Sequence, residues 1–249
     1  MNTKVIIPAR YGSSRLRGKP LLELSGKPII LHVVERCLDA GFSLKDIYVA
    51  TDEERIKDVL ERENIQVRMT SQDHESGTDR VFEVANSLNL SDEDFILNVQ
   101  GDEPLIPSQL ISELMTFSKG NKDFGIGTVV VPIKHRDEFH DPNTVKAVID
   151  DNQRALFFTR SPAPLDRDNI ENLSQAYRHI GIYSYQVKYL RKFCLSKKTT
   201  LESYEKLEQM RALSNGISIG AIAYQGDVPH GVDTLEDYNA IKEFMESKR

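Results

Sequence analysis

The stretch Lys4-Val5-Ile6-Ile7-Pro8-Ala9-Arg10-Tyr11-Gly12-Ser13-Ser14-Arg15-Leu16-Arg17-Gly18-Lys19-Pro20 decides the fold. Its first residues form a short apolar, β-branched run, which reads as a buried strand. A basic loop follows, in which Gly12 and Gly18 let the backbone turn sharply or approach a ligand. Gly26-Lys27-Pro28 then opens a helix, with proline suited to its first turn. Ile29, Ile30, Val33, Val34, Cys37 and Leu38 form one apolar face, and Gly41 is a fitting C-cap. The alternation continues. Strands are expected at 47–51, 65–70 and 95–99, and helices at 53–64 (Ile56, Val59 and Leu60 inward) and 79–88 (Phe82, Ala85 and Leu88 inward). Short strands separated by helices indicate βαβ units and a mainly parallel sheet.

Beyond Pro107 another helix leads to a strand at 126–133, and the pattern becomes less regular. Residues 145–150, 155–159, 179–185 and 217–224 read as strands that need not be parallel, and 187–195 and 201–213 as helices. Residues 166–176 read as a polar, mobile loop. Thr234-x-x-Asp237 has the form of a capping box at the start of a final helix. One α/β domain over residues 1–249 is the economical reading.

Composition narrows the function. Of the residues, 39% are hydrophobic and 28% charged, as in an ordinary globular protein. The apolar runs are too short for a membrane span, and no signal or transit segment is read at the N-terminus. Cys37 and Cys194 suit reduced core thiols better than a disulfide framework or a zinc site. A net charge of −6 argues against nonspecific nucleic-acid binding. An anionic ligand must then be held by a local cluster of positive charge.

The first loop supplies that cluster. Arg10, Arg15, Arg17 and Lys19 leave the C-terminal end of the first strand, where open α/β sheets bind ligands. Backbone amides with Arg and Lys can cradle a polyphosphate, although a solvated basic turn has the same composition. The loop is neither a Walker A sequence nor GxGxxG, which weighs against a dinucleotide oxidoreductase. In Gln100-Gly101-Asp102-Glu103-Pro104 a carboxylate ends an apolar strand, and such a group can hold Mg²⁺ against phosphate oxygens. An Asx turn before the next helix explains the same residues. Asp233 again follows an apolar strand, where a helix-start role competes with a metal role. Ser76, Gly77 and Thr78 could read a base edge or simply cap a helix. Arg160, Arg167, His179, Tyr183, Glu208 and Gln209 gather polar chemistry in the second half. His179 and Tyr183, four apart, would share one face of a strand, though a lone histidine is more often structural than catalytic.

VIIPARYGSSRLRGKPLLELSGKPIILHV, ATD, MTSQDHESGTDR, NVQGDEPLI, DPNTVKAV, FFTRSPAPLDRD, YRHIGIYSY, LEQMRAL and GVDTLED occur in that order along nearly the whole chain. Together they closely resemble the CMP-Kdo synthetase family, the 3-deoxy-manno-octulosonate cytidylyltransferases. The resemblance implies a nucleotide-diphospho-sugar-transferase-like α/β fold: a mainly parallel mixed sheet flanked by helices. It implies a cytoplasmic, homodimeric nucleotidyltransferase with CTP and Kdo as substrates, Mg²⁺ as cofactor and a place in bacterial lipopolysaccharide biosynthesis. Residues 1–130 would form the nucleotide-binding half, and 131–249 the sugar-binding and dimerisation half. By position, Arg10, Lys19 and Asp102 would be catalytic. Arg10 and Lys19 would bind triphosphate, with Ser13, Ser14 and Arg15 completing the loop. Ala9, Thr70, Ser76, Gly77 and Thr78 would line the cytidine pocket. Asp102 and Asp233 would hold Mg²⁺. Gln100, Arg160, Arg167, His179, Tyr183, Glu208 and Gln209 would surround the sugar acid.

Two positions depart from the family pattern. Arg17 stands where proline usually precedes Gly-Lys-Pro, which predicts a more mobile loop with one extra charge. Ala163 stands where a larger apolar residue is usual. Rival readings are an 8-amino analogue of Kdo or a sialic acid as acceptor, a nucleotide-binding regulator without turnover, and a dehydrogenase.

Overall fold

Val5, Ile6 and Ile7 are completely excluded from solvent, as a strand covered on both faces must be. The computed structural model describes residues 1–12 and 15–247. Ser13 and Ser14, both assigned to the phosphate loop, lie outside the described residues. The chain divides into two compact units, Met1–Ser112 with Val228–Arg249, and Glu113–Asp227.

In chain order the elements are β1 (Thr3–Pro8), β2 (Glu23–Leu24), β3 (Lys27–Pro28), α1 (Ile29–Asp39), β4 (Ile47–Thr51), α2 (Glu54–Arg62), β5 (Gln66–Met69), α3 (Gly77–Ser87), β6 (Phe95–Asn98) and α4 (Ser108–Gly120). There follow β7 (Ile126–Pro132), α5 (Arg136–His140), β8 (Lys146–Ile149), β9 (Ala155–Thr159), β10 (Tyr177–Gln186), α6 (Val187–Leu195), α7 (Thr200–Glu205), α8 (Gln209–Ser214), β11 (Ile219–Ala223) and α9 (Leu235–Ser247).

In the first unit β1 lies between β4 and β6, and β4 pairs on to β5, every pairing parallel. The C-terminal ends of these strands therefore point the same way; Ala9, Asp52 and Thr70 follow them directly, and Gln100 stands two residues beyond β6. The register places Pro8 beside Ala50 and Ile6 beside Asn98. In the second unit β7 pairs with β11 in parallel and with β10 antiparallel. β8 pairs antiparallel with both β10 and β9. The sheets are mixed and mostly parallel, with helices on them, as the sequence pattern predicts.

Three local expectations are corrected. Helix α3 begins two residues earlier than expected, because the Ser76 hydroxyl caps it by accepting from the Asp79 amide at 3.1 Å. Its buried stripe is Thr78, Arg80, Val81, Val84 and Ala85, whereas Phe82 and Leu88 are only half-buried. Pro28 does not begin α1 but pairs with Glu23 in a small hairpin, and the helix starts at Ile29. The expected helix over 201–213 is two helices. Thr199 and Glu202 form a capping box on α7, Lys206 turns left-handed at φ 55°, and α8 starts afresh at Gln209. Residues 166–176 form no helix or strand, as expected. Leu173 and Ala176 nonetheless pack with Ile133 and Phe139, and Arg136 donates to the Ile170 carbonyl. Ala163, at the second departure, is half-buried and precedes a cis bond to Pro164.

A cluster of Leu24, Ile29, Val232 and Ile241, joined by Leu16, Leu22, Leu105, Tyr238 and Met245, packs α9 onto the hairpin that follows the basic loop. The Tyr238 hydroxyl donates to the Glu23 carbonyl at 2.8 Å. This burial brings residues far apart in sequence to the end of the first loop.

Close packing under that loop is testable. A Cβ on Gly101 would lie 2.7 Å from the Pro8 carbonyl oxygen and 3.4 Å from Ala9 and Ile30 atoms. Gly101→Ala is expected to destabilise the fold by about 1–3 kcal/mol, the usual cost of overpacking. Urea denaturation followed by circular dichroism checks it, and an unchanged midpoint would contradict the packing described.

Candidate active site

The basic loop closes on itself. The Gly18 amide donates to the Tyr11 carbonyl at 2.9 Å, and Gly18 takes φ +74°, a left-handed turn suited to glycine. A short 3-10 turn then sets Lys19 beneath the loop, 7% exposed. Its Nζ donates to Asp102 Oδ2 at 2.6 Å and to Asp233 Oδ1 at 3.2 Å. Arg15 Nη2 donates to the same Asp233 oxygen at 3.0 Å. Two cations and two carboxylates from three distant segments thus meet at one point.

Backbone contacts enforce this meeting. The Val232 amide donates to the Asp102 carbonyl at 2.8 Å. A Cβ on Gly231 would come within 2.7 Å of Glu103 Oε1 and 3.0 Å of the Asp102 carbonyl oxygen, so only glycine fits there undisturbed. At the third motif Thr234 and Asp237 cap α9, while the Asp233 carboxylate accepts from Lys19 and Arg15. The Asp237 carboxylate also accepts from the Asp233 amide at 3.0 Å, and with the Thr234 bonds this holds its pKa below the ordinary carboxylate value although partial burial opposes it.

Asp102 and Asp233 present hard carboxylate oxygens, and among the described residues no cluster of three or more His, Cys, Asp or Glu converges. That donor set suits Mg²⁺, which takes one or two carboxylates and completes its shell with substrate phosphates and water. Arg10 is exposed just after β1.

The residues expected at a base pocket are brought near one another on the same unit, but several hydroxyls are already engaged. Ala9 is buried, and its amide donates to the Ala50 carbonyl. The Cβ position of Gly77 is 3.4 Å from Pro8 and 3.8 Å from the Gln100 side-chain oxygen. Ser76 Oγ donates to Asp79 Oδ2 at 2.8 Å besides capping α3. Thr70 Oγ1 donates to the Thr51 carbonyl at 3.1 Å and accepts from Arg80 Nη1. Arg80, 2% exposed, also donates to Asp52 Oδ2 at 2.8 Å. Thr78 is buried in the first turn of α3. The Arg80–Asp52 pair carries no role in the sequence reading. Its signal was an arginine on the inward face of a helix, opposite an aspartate at a strand end.

Six of the sugar-acid residues belong to the second unit and Gln100 to the first. His179 and Tyr183 lie four apart on β10, yet their rings are 5.4 Å apart, because a bulge between Ile180 and Tyr183 gathers the strand. Thr128 occupies the bulge, contacting His179 Nε2 at 3.0 Å and the Ile182 carbonyl at 2.8 Å. Phe158 meets the His179 ring edge-on at 4.9 Å. Enclosure pulls the His179 pKa down to about 3, so the ring is neutral. Burial, and secondarily the charge of Glu208, pushes the Tyr183 phenol well above its ordinary pKa. Gln209 is 7% exposed at the start of α8. Arg160 is braced by Glu205: Nε donates to its carbonyl at 2.8 Å, and the Arg160 amide donates to its carboxylate at 3.0 Å. Arg160 Nη1 donates to the Pro142 carbonyl at 2.8 Å. Arg167, by contrast, has a side chain 97% exposed, 3.8 Å from Asp168, and stands outside this enclosed group. Glu205 is a further residue the sequence reading passed over.

A family model described as cytidylyltransferase matches residues 4–219. The chain belongs to the cytidylyltransferase family. It is 44% identical over 248 residues to a 3-deoxy-manno-octulosonate cytidylyltransferase of Alcanivorax borkumensis, covering 97% of this chain and 98% of that one. It is 45% identical over 238 residues to an 8-amino-3,8-dideoxy-manno-octulosonate cytidylyltransferase of Shewanella pealeana, covering 95% and 96%. Among solved structures it resembles CMP:2-keto-3-deoxy-manno-octonic acid synthetase complexed with CTP, with TM-score 0.92 and 36% identity over the whole of both chains. A cytidylyltransferase of Leptospira borgpetersenii, at 18% identity and TM-score 0.66 over 99% and 87% of the two chains, shares the fold alone. The nucleotide-diphospho-sugar-transferase-like α/β fold expected from the motifs is the fold of this family member. Among the described residues no helix is long and apolar enough to cross a membrane.

The histidine environment has a pH consequence. A histidine whose pKa falls from 6.5 to about 3 on folding takes up its proton first in the unfolded chain. Stability is therefore lost as pH falls below the unfolded value, and His179→Phe should remove that part of the loss. Urea midpoints at about pH 7 and about pH 5 are expected to differ less for His179→Phe than for the wild type. Equal differences would show that the ring is protonated alike in both states.

Proposed function

We propose that this cytidylyltransferase transfers CMP from CTP to the anomeric hydroxyl of 3-deoxy-D-manno-octulosonate (Kdo), releasing pyrophosphate. The product CMP-Kdo would serve bacterial lipopolysaccharide biosynthesis. The observation that carries the proposal is the convergence of Lys19, Asp102 and Asp233, with Arg15, at one end of the first loop. The relatives named for Kdo and for its 8-amino analogue support the acceptor class.

The reaction needs positioning and charge stabilisation rather than a covalent enzyme intermediate. The sugar hydroxyl gives up its proton to water as its oxygen forms a bond to the α-phosphorus, the bond from that phosphorus to the bridging oxygen breaks, and pyrophosphate carries away the electron pair. Lys19, with Arg10 and Arg15 from the same loop, would bind the triphosphate and offset the charge that develops on the leaving group. Lys19 suits that task because two carboxylates hold its ammonium in place before substrate arrives. Asp102 and Asp233 would hold Mg²⁺, with Ser13 and Ser14 completing the phosphate loop. Bound there, Mg²⁺ would screen the triphosphate and polarise the α-phosphate. Ala9, Thr70, Ser76, Gly77 and Thr78 would line the cytidine pocket. With the Thr70 and Ser76 hydroxyls engaged, much of the base recognition would fall to backbone groups. Arg160, Arg167, His179, Tyr183, Glu208 and Gln209 would surround the sugar acid, whose carboxylate calls for a guanidinium partner.

We place the reaction in the cytoplasm, in keeping with a buried, reduced Cys37 whose thiol pKa is pushed up to about 12. The working form would be a homodimer, and Leu156 and Phe157 of β9 with Leu201 and Tyr204 of α7 are large exposed apolar side chains available to an interface.

Pyrophosphate release from CTP with Mg²⁺ and Kdo tests the proposal. Asp102→Asn is expected to lower turnover by about 100-fold or more while circular dichroism stays native, and removing Mg²⁺ with chelator should abolish activity. Turnover with the 8-amino analogue but not with Kdo would overturn the acceptor, and an unimpaired Asp102→Asn would overturn the role of Asp102.

A further inference from the structure

We infer that Tyr11 and Arg55 form a clamp that positions the triphosphate loop, a role outside the ligand set assigned above and resting on that reading of the loop. The Tyr11 ring covers the Gly18 backbone so closely that a Cβ there would fall 3.0 Å from Tyr11 Cε2. The Arg55 guanidinium lies over the same ring at 3.8 Å from its centroid, the separation of a stacked cation–π contact. Arg17, the residue that replaces a stiffening proline, stands over that ring as well, at 5.7 Å.

Arg55 is itself fixed. Its Nε donates to Glu53 Oε1 at 2.7 Å and its Nη2 to Glu53 Oε2 at 3.0 Å, a two-pronged pair. Glu53 caps α2, two residues beyond the last residue of β4. The loop is thus tied at Tyr11 to a rigid strand–helix junction, and through the Gly18 amide bond to the turn that sets Lys19. Arg55 has its charge matched by Glu53, so it acts through Tyr11 and is a positioning residue, not a phosphate ligand. Closing the loop in advance lowers the ordering cost that CTP binding would otherwise carry. The expected consequence is a weaker grip on CTP when the clamp is lost, with the chemical step intact.

Steady-state kinetics of pyrophosphate release test this with the full-length enzyme. Arg55→Ala and Tyr11→Leu are each expected to raise KM for CTP by about 5-fold, with kcat and KM for Kdo unchanged. Tyr11→Phe keeps the ring and should return KM for CTP to within about twofold of the wild type. Lys57→Ala removes a cation from the same helix, where it pairs with Glu54, and should leave KM unaltered. An unchanged KM in Arg55→Ala, an equal rise in Lys57→Ala, or a parallel loss of kcat and thermal stability in both clamp variants would overturn the clamp. If the wild type shows no turnover with Kdo, the acceptor reading fails instead. Calorimetric binding of CTP to the wild type and Arg55→Ala then decides the clamp alone: a weaker variant upholds it and equal affinity overturns it.

Discussion

Lys19 is shared by two carboxylates that sequence places 83 and 214 residues away, and the rest of the first unit is arranged so that this sharing can occur. An ammonium 7% exposed is strongly disfavoured unless opposite charges stand within hydrogen-bonding distance. Asp102 meets that need from the turn after β6, and Asp233 from the entry to α9. They are locked together by the Val232 amide on the Asp102 carbonyl, at a spot where Gly231 leaves room for Glu103. The driving force is apolar: Val232 and Ile241 bury themselves against Leu24 and Ile29. Hydrophobic burial thus assembles a charged site that electrostatics alone would not hold in place.

Parallel pairing explains why the chemistry gathers at one edge. β1, β4, β5 and β6 run in the same direction, so the residues after them share one end of the sheet. Ala9, Asp52, Thr70, Gln100 and Asp102 all follow strand ends. Their side chains do two kinds of work. Asp102 is left to face Lys19, while Asp52 and Thr70 are bound by Arg80 into a buried network at the ends of β4 and β5. Such a network is favourable only because each of these polar groups has a partner.

The second unit reaches enclosure by another route. The bulge in β10 sets His179 against Tyr183 and lets Thr128 bond across the irregularity. Enclosure then keeps the imidazole neutral and the phenol protonated. Breaking the expected long helix at Lys206 gives α8 its own start, placing Glu208 and Gln209 at a helix beginning.

The amino-acid sequence by itself determined the alternation of strands and helices, because apolar periodicity and capping residues act over a few positions. β4, β9 and α6 have the expected limits, and Thr234–Asp237 caps α9 as its spacing requires. The motifs also identified the family, since their order along the chain is a property of sequence alone. Tertiary structure decided which competing local role each polar residue takes. Ser76 is the cap of α3, Asp233 is turned to Lys19, and Arg80 points into the core, although each residue could locally have done otherwise. It also decided the partners of Tyr11, whose stacking on Arg55 joins segments 44 residues apart that no local pattern connects. The physical reason is range: propensity and periodicity are written in neighbouring residues, whereas ion pairs, stacking and close backbone approach depend on which distant surfaces burial presses together.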